Sequence, residues 1–205
     1  IDYLFDHLHH ELVKNFIILI REMLKDNFLE PNHIKQLWTT ALKQHQSTID
    51  VFFNSLSNIA MSMSTNQTTI LFEAIIETTS FPDASIVFLG KDVLKLSPKQ
   101  KNSLFTKLSE IYFRNNLSVN TKNLLLLIIS KFIPVEKENR TELQQKCFQH
   151  LKKQENLDYS LAILKKSLVD LNESDARQYL DTIINLPSLN NVQFLDLIHN
   201  LIRCI

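Results

Sequence analysis

The densest group of side chains that could bind a metal ion lies near the start of the sequence. It comprises His7, His9, His10 and Glu11. His7 and His10 are three residues apart, so they would share one face of a helix. His10 and Glu11 begin the zinc-protease motif H-E-x-x-H, but its second histidine is missing. Because zinc sites need about three or four converging ligands, we expect a solvated helix face and no metal.

Two cysteine–histidine pairs are the next candidates. Cys147 lies three residues before His150, and His199 lies five residues before Cys204. One such pair has too few ligands for structural zinc, and a cysteine nucleophile also needs an activating base and an oxyanion donor. The carboxylates are scattered, with no pair that stands out as acid and base. We therefore expect helix residues in packing roles, with no catalytic residue and no cofactor site.

The cysteine and glycine counts restrict the possible classes of protein. Two cysteines cannot form a disulfide framework and fit a reducing compartment, which predicts a cytoplasmic location. Gly90 is the only glycine in 205 residues, whereas about 7% is usual. Gly-rich phosphate-binding loops are therefore excluded, because they depend on the conformational freedom of glycine.

Charge and hydrophobicity argue against nucleic acid and membrane partners. The 22 basic and 22 acidic side chains balance, whereas nucleic-acid-binding proteins usually carry a basic excess. Lys152-Lys153 and Lys165-Lys166 are interpreted as solvated helix faces, with a basic patch as the alternative. The longest apolar run, residues 124–129, is far shorter than the roughly 20 residues that cross a bilayer. We expect protein partners only.

Trp38 is the only tryptophan, and it could anchor a partner at an interface. It belongs to an apolar series at helical spacing: Ile34, Leu37, Trp38, Ala41 and Leu42. That spacing is typical of a helix face that points into the core. We therefore predict that Trp38 has a core role.

The elements that would position these residues are helices separated by short polar breaks. Pro31 suits the first position of a helix that runs to about His45. Ser97, Pro98 and Gln100 form the clearest helix start, because the serine caps and the glutamine can reach back. Residues 2–26 are predicted to form either one long helix or two. The remaining predicted helices cover 47–60, 65–80, 82–96, 118–133, 139–153, 157–171, 174–186 and 190–204.

Several finer features follow from the same patterns. Ser47 with Asp50 resembles a capping box, and Thr65 or Asn66 is predicted to cap the next helix. Ser118 or Asn120 opens the helix that contains residues 124–129. Because that segment is apolar all round, we expect it to be buried between neighbours.

Helices of this length with short connections predict an all-α fold. We expect an armadillo/HEAT-like α-solenoid of about 10–11 antiparallel helices. Residues 1–205 would form a single helical repeat segment of a longer chain. A closed helical bundle is the structural alternative.

The segment from Asn32 to Ile75 resembles part of the non-catalytic helical region of the very large, fat-facets-type ubiquitin-specific proteases. The matching positions are Ile34, Leu37-Trp38, Ala41, His45, Ile49, Leu56, Ser64, Gln67 and Leu71-Phe72. The resemblance implies an armadillo-like solenoid that flanks a deubiquitinase catalytic domain. The cysteine and histidine boxes of that papain-like domain do not occur here, so no catalytic residue is carried over.

The resulting expectation is a non-catalytic protein-interaction scaffold. The resemblance implies that its parent is a hydrolase that removes ubiquitin from proteins, with ubiquitinated substrates as candidate partners. The first alternative is a HEAT/armadillo-like scaffold of an unrelated transport or RNA-processing assembly. The second is an enzyme with an unrecognised helical active site.

Overall fold

Helices account for all the regular structure that the computed structural model describes, namely residues 5, 12–26, 28–91, 94–114, 117–133, 137–168, 173–185 and 192–203. Eleven α-helices and no β-strand occur in these ranges. In chain order they are α1 (Val13–Lys25), α2 (Pro31–Leu42), α3 (Gln46–Ser62), α4 (Thr65–Glu77), α5 (Asp83–Leu89), α6 (Pro98–Tyr112), α7 (Val119–Ile129), α8 (Lys137–Lys152), α9 (Leu157–Ser167), α10 (Glu173–Ile184) and α11 (Val192–Ile202). The all-α prediction is confirmed.

The chain divides into two compact units, residues 1–128 and 129–205. In the first unit, α1 packs on α3, α2 on α4, α3 on α5, and α4 on α6. Helices α1, α3 and α5 therefore form one layer, and α2, α4 and α6 form another. Helix α2 also contacts α3, which joins the layers.

The second unit has its own two layers. Helix α8 packs on α9, and α10 packs on α11, which gives two helical hairpins. The hairpins stack, because α8 also contacts α10 and α9 also contacts α11. Helices α8 and α10 are therefore neighbours in one layer of this unit.

Local sequence signals explain where several helices begin. The predicted capping box of α6 is confirmed, because Ser97 N–H donates to Gln100 Oε1 at 2.9 Å and Gln100 N–H donates to Ser97 Oγ at 3.4 Å. Pro31 is the first residue of α2, as predicted. Ser118 caps α7, because its Oγ accepts the Thr121 N–H at 3.1 Å.

Two predicted caps were wrong by one or two residues. The N-cap of α3 is His45 rather than Ser47, because the His45 Nδ1 atom accepts the Ser47 N–H at 3.3 Å. The N-cap of α4 is Ser64 rather than Thr65 or Asn66. Ser64 forms a reciprocal capping box with Gln67, which satisfies two backbone donors instead of one.

Two predictions about helix extent and burial also fail. Helix α5 ends at Leu89 instead of near Leu96, since Gly90 follows and glycine is a poor helix former. The apolar centre of α7 is not buried all round. Its Leu125 and Ile128 are buried, whereas Leu127 on the opposite side is 61% exposed, so α7 packs through one face.

Gly90 is required for packing rather than for an unusual backbone angle. Its φ is −77° and its ψ is −6°, which any residue can adopt. A Cβ atom at this position would overlap Ile128 Cδ1 and lie 3.3 Å from Ile128 Cγ1. The end of α5 therefore approaches α7 too closely for a side chain.

Among the residues that the structure describes, left-handed backbone occurs instead at two that are not glycine. They are Gln154, with φ of 57°, and Asn156, with φ of 46°. Gln154 ends α8 in a Schellman motif, because its N–H donates to Leu151 O and the Glu155 N–H donates to His150 O. This position usually favours glycine, so the motif carries backbone strain.

We expect Gln154→Gly to raise the free energy of unfolding by about 0.5–1 kcal/mol, because glycine adopts φ > 0 without a Cβ clash. Urea unfolding followed by far-UV circular dichroism measures the change. Lys153→Gly is the control, because Lys153 has a negative φ and should lose stability. Equal effects at both positions would contradict the explanation.

Candidate functional site

The histidine-rich cluster lies outside the described residues. It comprises His7, His9, His10 and Glu11. Elsewhere in the part of the chain that the structure describes, no three histidine, cysteine, aspartate or glutamate side chains come together as a metal site would require.

Cys147 is held as a packing residue of α8. Only 1% of it is exposed. Burial raises the pKa of the Cys147 thiol to about 12, and the nearby Ser160 hydroxyl offsets part of that rise. The thiolate is the nucleophilic form of cysteine, so at neutral pH this protonated thiol is unreactive. His150 Nδ1 and Ser160 Oγ are buried and have no hydrogen-bond partner of normal geometry among the described residues.

The other cysteine–histidine pair lies only partly within the described residues. His199 is an exposed residue of α11, and Cys204 lies outside the described residues.

The two lysine pairs do not form a uniform basic patch. Lys165 Nζ lies 2.7 Å from Asp196 Oδ2, which links α9 to α11 and lowers the pKa of Asp196. Both side chains are about half exposed, so solvent and salt screen the pair and it adds little to stability. Lys152 and Lys153 are exposed at the end of α8. The interpretation as solvated helix faces fits this geometry.

Trp38 lies in the core, as predicted, and has no exposed surface. Its ring centroid lies 5.4 Å from that of Phe53, 5.8 Å from Phe88 and 6.2 Å from Phe81. Its Nε1–H donates to Thr78 Oγ1 at 2.7 Å, and the Thr78 hydroxyl donates to Ala74 O at 2.9 Å. Trp38 thus joins α2, α3, α5 and the end of α4, and it is unavailable to a partner.

An open cleft of about 620 Å³ lies beside this core, between α2, α4 and the segment that follows α4. Its lining combines hydroxyl and apolar groups, including Thr39, Ala74 and Phe81. Lys35 lies at its edge, 3.5 Å from Glu73 and 3.9 Å from Glu77. One lysine therefore faces two glutamates at exposed positions, and this arrangement points to no particular ligand.

A second groove, of about 270 Å³, lies between α8 and α10 in the second unit. Its lining residues are Thr141, Gln145, Phe148, Gln149, Lys152, Asp175, Gln178, Tyr179 and Thr182. The Phe148 and Tyr179 rings stack at the groove, with centroids 3.9 Å apart and planes 16° apart. Burial, together with the charge of Asp175, raises the pKa of Tyr179, so its hydroxyl is protonated at neutral pH.

The groove glutamines were not recognised from the sequence. Glutamine side chains on a helix rich in charged residues are usually exposed to solvent. The sequence alone therefore does not distinguish them from an ordinary solvated helix face. A weak signal was present, because Thr141, Gln145 and Gln149 recur every four residues and share one face of a helix. What the sequence lacked was the pairing of that face with α10.

Next to the groove, Gln144 has a purely structural role. It is buried, and its Nε2 donates to Ser167 O at 2.7 Å. Ser167 is the last residue of α9, where carbonyl groups lack partners within the helix. Gln144 therefore caps α9 from α8 and fixes the first hairpin of the second unit.

Neither membrane-spanning helices nor known relatives point to a function. None of the helices in the described ranges is both long and apolar enough to span a bilayer. Neither a known family model, nor a curated protein, nor a solved structure matches the chain.

Proposed function

We propose that the chain is a non-catalytic protein-interaction scaffold built as an armadillo- or HEAT-like α-solenoid. One observation carries the proposal. Within each unit, a helix packs on the second helix after it in the chain, so successive helices alternate between two layers. Stacked helix pairs of this kind bury a continuous core and leave surfaces along which partners bind. A closed bundle does not require this alternation.

The surfaces between helices of one layer support the same function. Both clefts lie between such helices: α2 and α4 in the first unit, and α8 and α10 in the second. The first is open and the second is polar, unlike the enclosed apolar pockets that usually hold cofactors. Cys147 is buried and protonated, so the described cysteine is suited to packing and not to nucleophilic catalysis.

The parent protein is a further part of the proposal, and it rests on the resemblance of residues 32–75. Most of the matching positions are buried in α2, α3 and α4, so they are packing residues. We propose a large, cytoplasmic ubiquitin-specific protease as the parent, with its ubiquitinated substrates as candidate partners. A transport or RNA-processing scaffold would share the layered packing, and catalytic cysteine and histidine boxes in the flanking sequence would distinguish the protease.

A turnover assay tests the non-catalytic part. The purified protein, mixed with a ubiquitin–fluorophore substrate, is expected to release fluorophore no faster than buffer, because it lacks the catalytic boxes. Turnover that persists after repeated purification would overturn this assignment.

Direct binding tests the scaffold part. Affinity capture from cytosol, followed by reconstitution with each purified candidate, is expected to identify at least one protein that binds stoichiometrically. If the folded protein binds no purified candidate, the scaffold assignment fails.

A further inference from the structure

We propose that the groove between α8 and α10 binds an extended, non-phosphorylated segment of a partner protein by hydrogen bonding to its backbone. This inference rests on the scaffold function proposed above and specifies the partner for one surface. The groove lies wholly within the second unit, so both of its walls belong to one compact body.

The spacing of the polar side chains matches an extended peptide. Thr141, Gln145 and Gln149 follow one another at intervals of four residues along α8, and Gln178 and Thr182 do so on α10. Four helical residues rise about 6 Å. In an extended chain two residues rise about 6.6 Å, and backbone groups at that interval face the same side. Each wall therefore presents polar side chains at intervals close to the two-residue repeat of an extended peptide.

The chemistry of the three glutamines matches the same target. Gln145, Gln149 and Gln178 are exposed, and their side-chain amides form no hydrogen bond among the described residues. Each amide offers two N–H donors and an oxygen acceptor. A peptide backbone presents N–H and C=O groups in alternation. A row of side-chain amides can therefore satisfy both kinds of group without contacting the side chains of the peptide.

The groove also has an aromatic floor. Phe148 and Tyr179 line it as nearly parallel rings that are only 4% and 9% exposed, so they are rigid and offer little surface of their own. Alternate side chains of an extended peptide point to opposite faces. One set would point toward this floor while the backbone meets the glutamines.

Charge and size exclude the other main ligand classes. Lys152 and Asp175 carry opposite charges, so the groove lacks the basic excess that a nucleic-acid or phosphopeptide ligand requires. Its volume of about 270 Å³ is at the lower limit for small-molecule pockets, and its lining is mainly polar. A short peptide segment, flanked by residues that remain in solvent, fits both the balanced charge and the small polar volume of the groove.

The test is selection of a random-sequence displayed peptide library on three proteins. They are the wild type, the Gln145→Leu/Gln149→Leu double variant and the Gln46→Leu control. Leucine keeps helix propensity and approximate size while removing the hydrogen bonds. Gln46 is exposed on α3, outside the groove. Far-UV circular dichroism verifies that all three proteins fold.

We expect peptides that bind the wild type and the Gln46→Leu control, with affinity for the double variant reduced about tenfold or more. Methylating alternate backbone nitrogens of one selected peptide should also reduce its affinity for the wild type about tenfold. The same methylation should reduce its affinity for the double variant little further. Equal enrichment on all three proteins would overturn the groove proposal and leave the scaffold function standing. No enrichment on any folded protein would overturn the groove proposal and also count against the scaffold function.

Discussion

Trp38→Ala is expected to lower the free energy of unfolding of the first unit by about 3–5 kcal/mol. Trp38 is fully buried and its ring contacts Phe53, Phe81 and Phe88, so its removal leaves a cavity where three helices meet. The change also removes the donor to Thr78 Oγ1. Urea unfolding followed by far-UV circular dichroism measures the loss, because the variant has no tryptophan fluorescence.

Two further variants separate the contributions to this loss. Thr78→Val keeps the side-chain shape but leaves the buried Trp38 Nε1–H without its acceptor, which should cost about 1–3 kcal/mol. Phe28→Ala is the matched control, because Phe28 is an aromatic residue that is 67% exposed and should change stability by less than about 0.5 kcal/mol. If Trp38→Ala were as mild as Phe28→Ala, Trp38 would not be the packing centre of the unit.

Gly90→Ala should have the second-largest effect, a loss of about 1–3 kcal/mol from overpacking. The usual expectation is the reverse, since alanine at a right-handed position stabilises a chain by about 0.4–1 kcal/mol. Here the added Cβ would overlap Ile128 Cδ1, so Ile128 must shift. The fluorescence of Trp38, the only tryptophan, reports unfolding of this unit in urea.

The Ile128→Val background isolates the cause, because valine lacks the Cδ1 atom. In that background Gly90→Ala should be neutral or stabilising, which gives a coupling energy of about 1 kcal/mol or more between the two sites. An identical loss in both backgrounds would show that the overlap with Ile128 is not responsible.

Features set by neighbouring residues could be predicted from the sequence. The start of α2 at Pro31, the capping box of Ser97 and Gln100, and the burial of Trp38 each depend on residues within one element. The caps at His45 and Ser64 were missed because a histidine ring nitrogen is an uncommon cap, and because Ser64 directly precedes two other capping candidates.

Features set by distant residues could not be predicted. The close approach of Gly90 to Ile128 joins positions nearly forty residues apart, and the stack of Phe148 on Tyr179 joins two hairpins. Periodicity identifies the inner face of each helix but not the helix it meets. The groove glutamines were accordingly not singled out, since only the placement of α10 beside α8 brings them to one groove.

The most direct test of the account is photo-crosslinking from the groove. The substitution Lys152→p-benzoylphenylalanine places a reactive group at the edge of the groove and keeps its glutamines, and Gln46→p-benzoylphenylalanine places the same group on α3. After irradiation in cytosol, we expect an adduct from position 152 alone, mapping to one extended segment of a partner protein and lost on adding Gln145→Leu. Absence of any adduct, or the same adduct from both positions, would contradict the claim that this protein binds partners through the groove between α8 and α10.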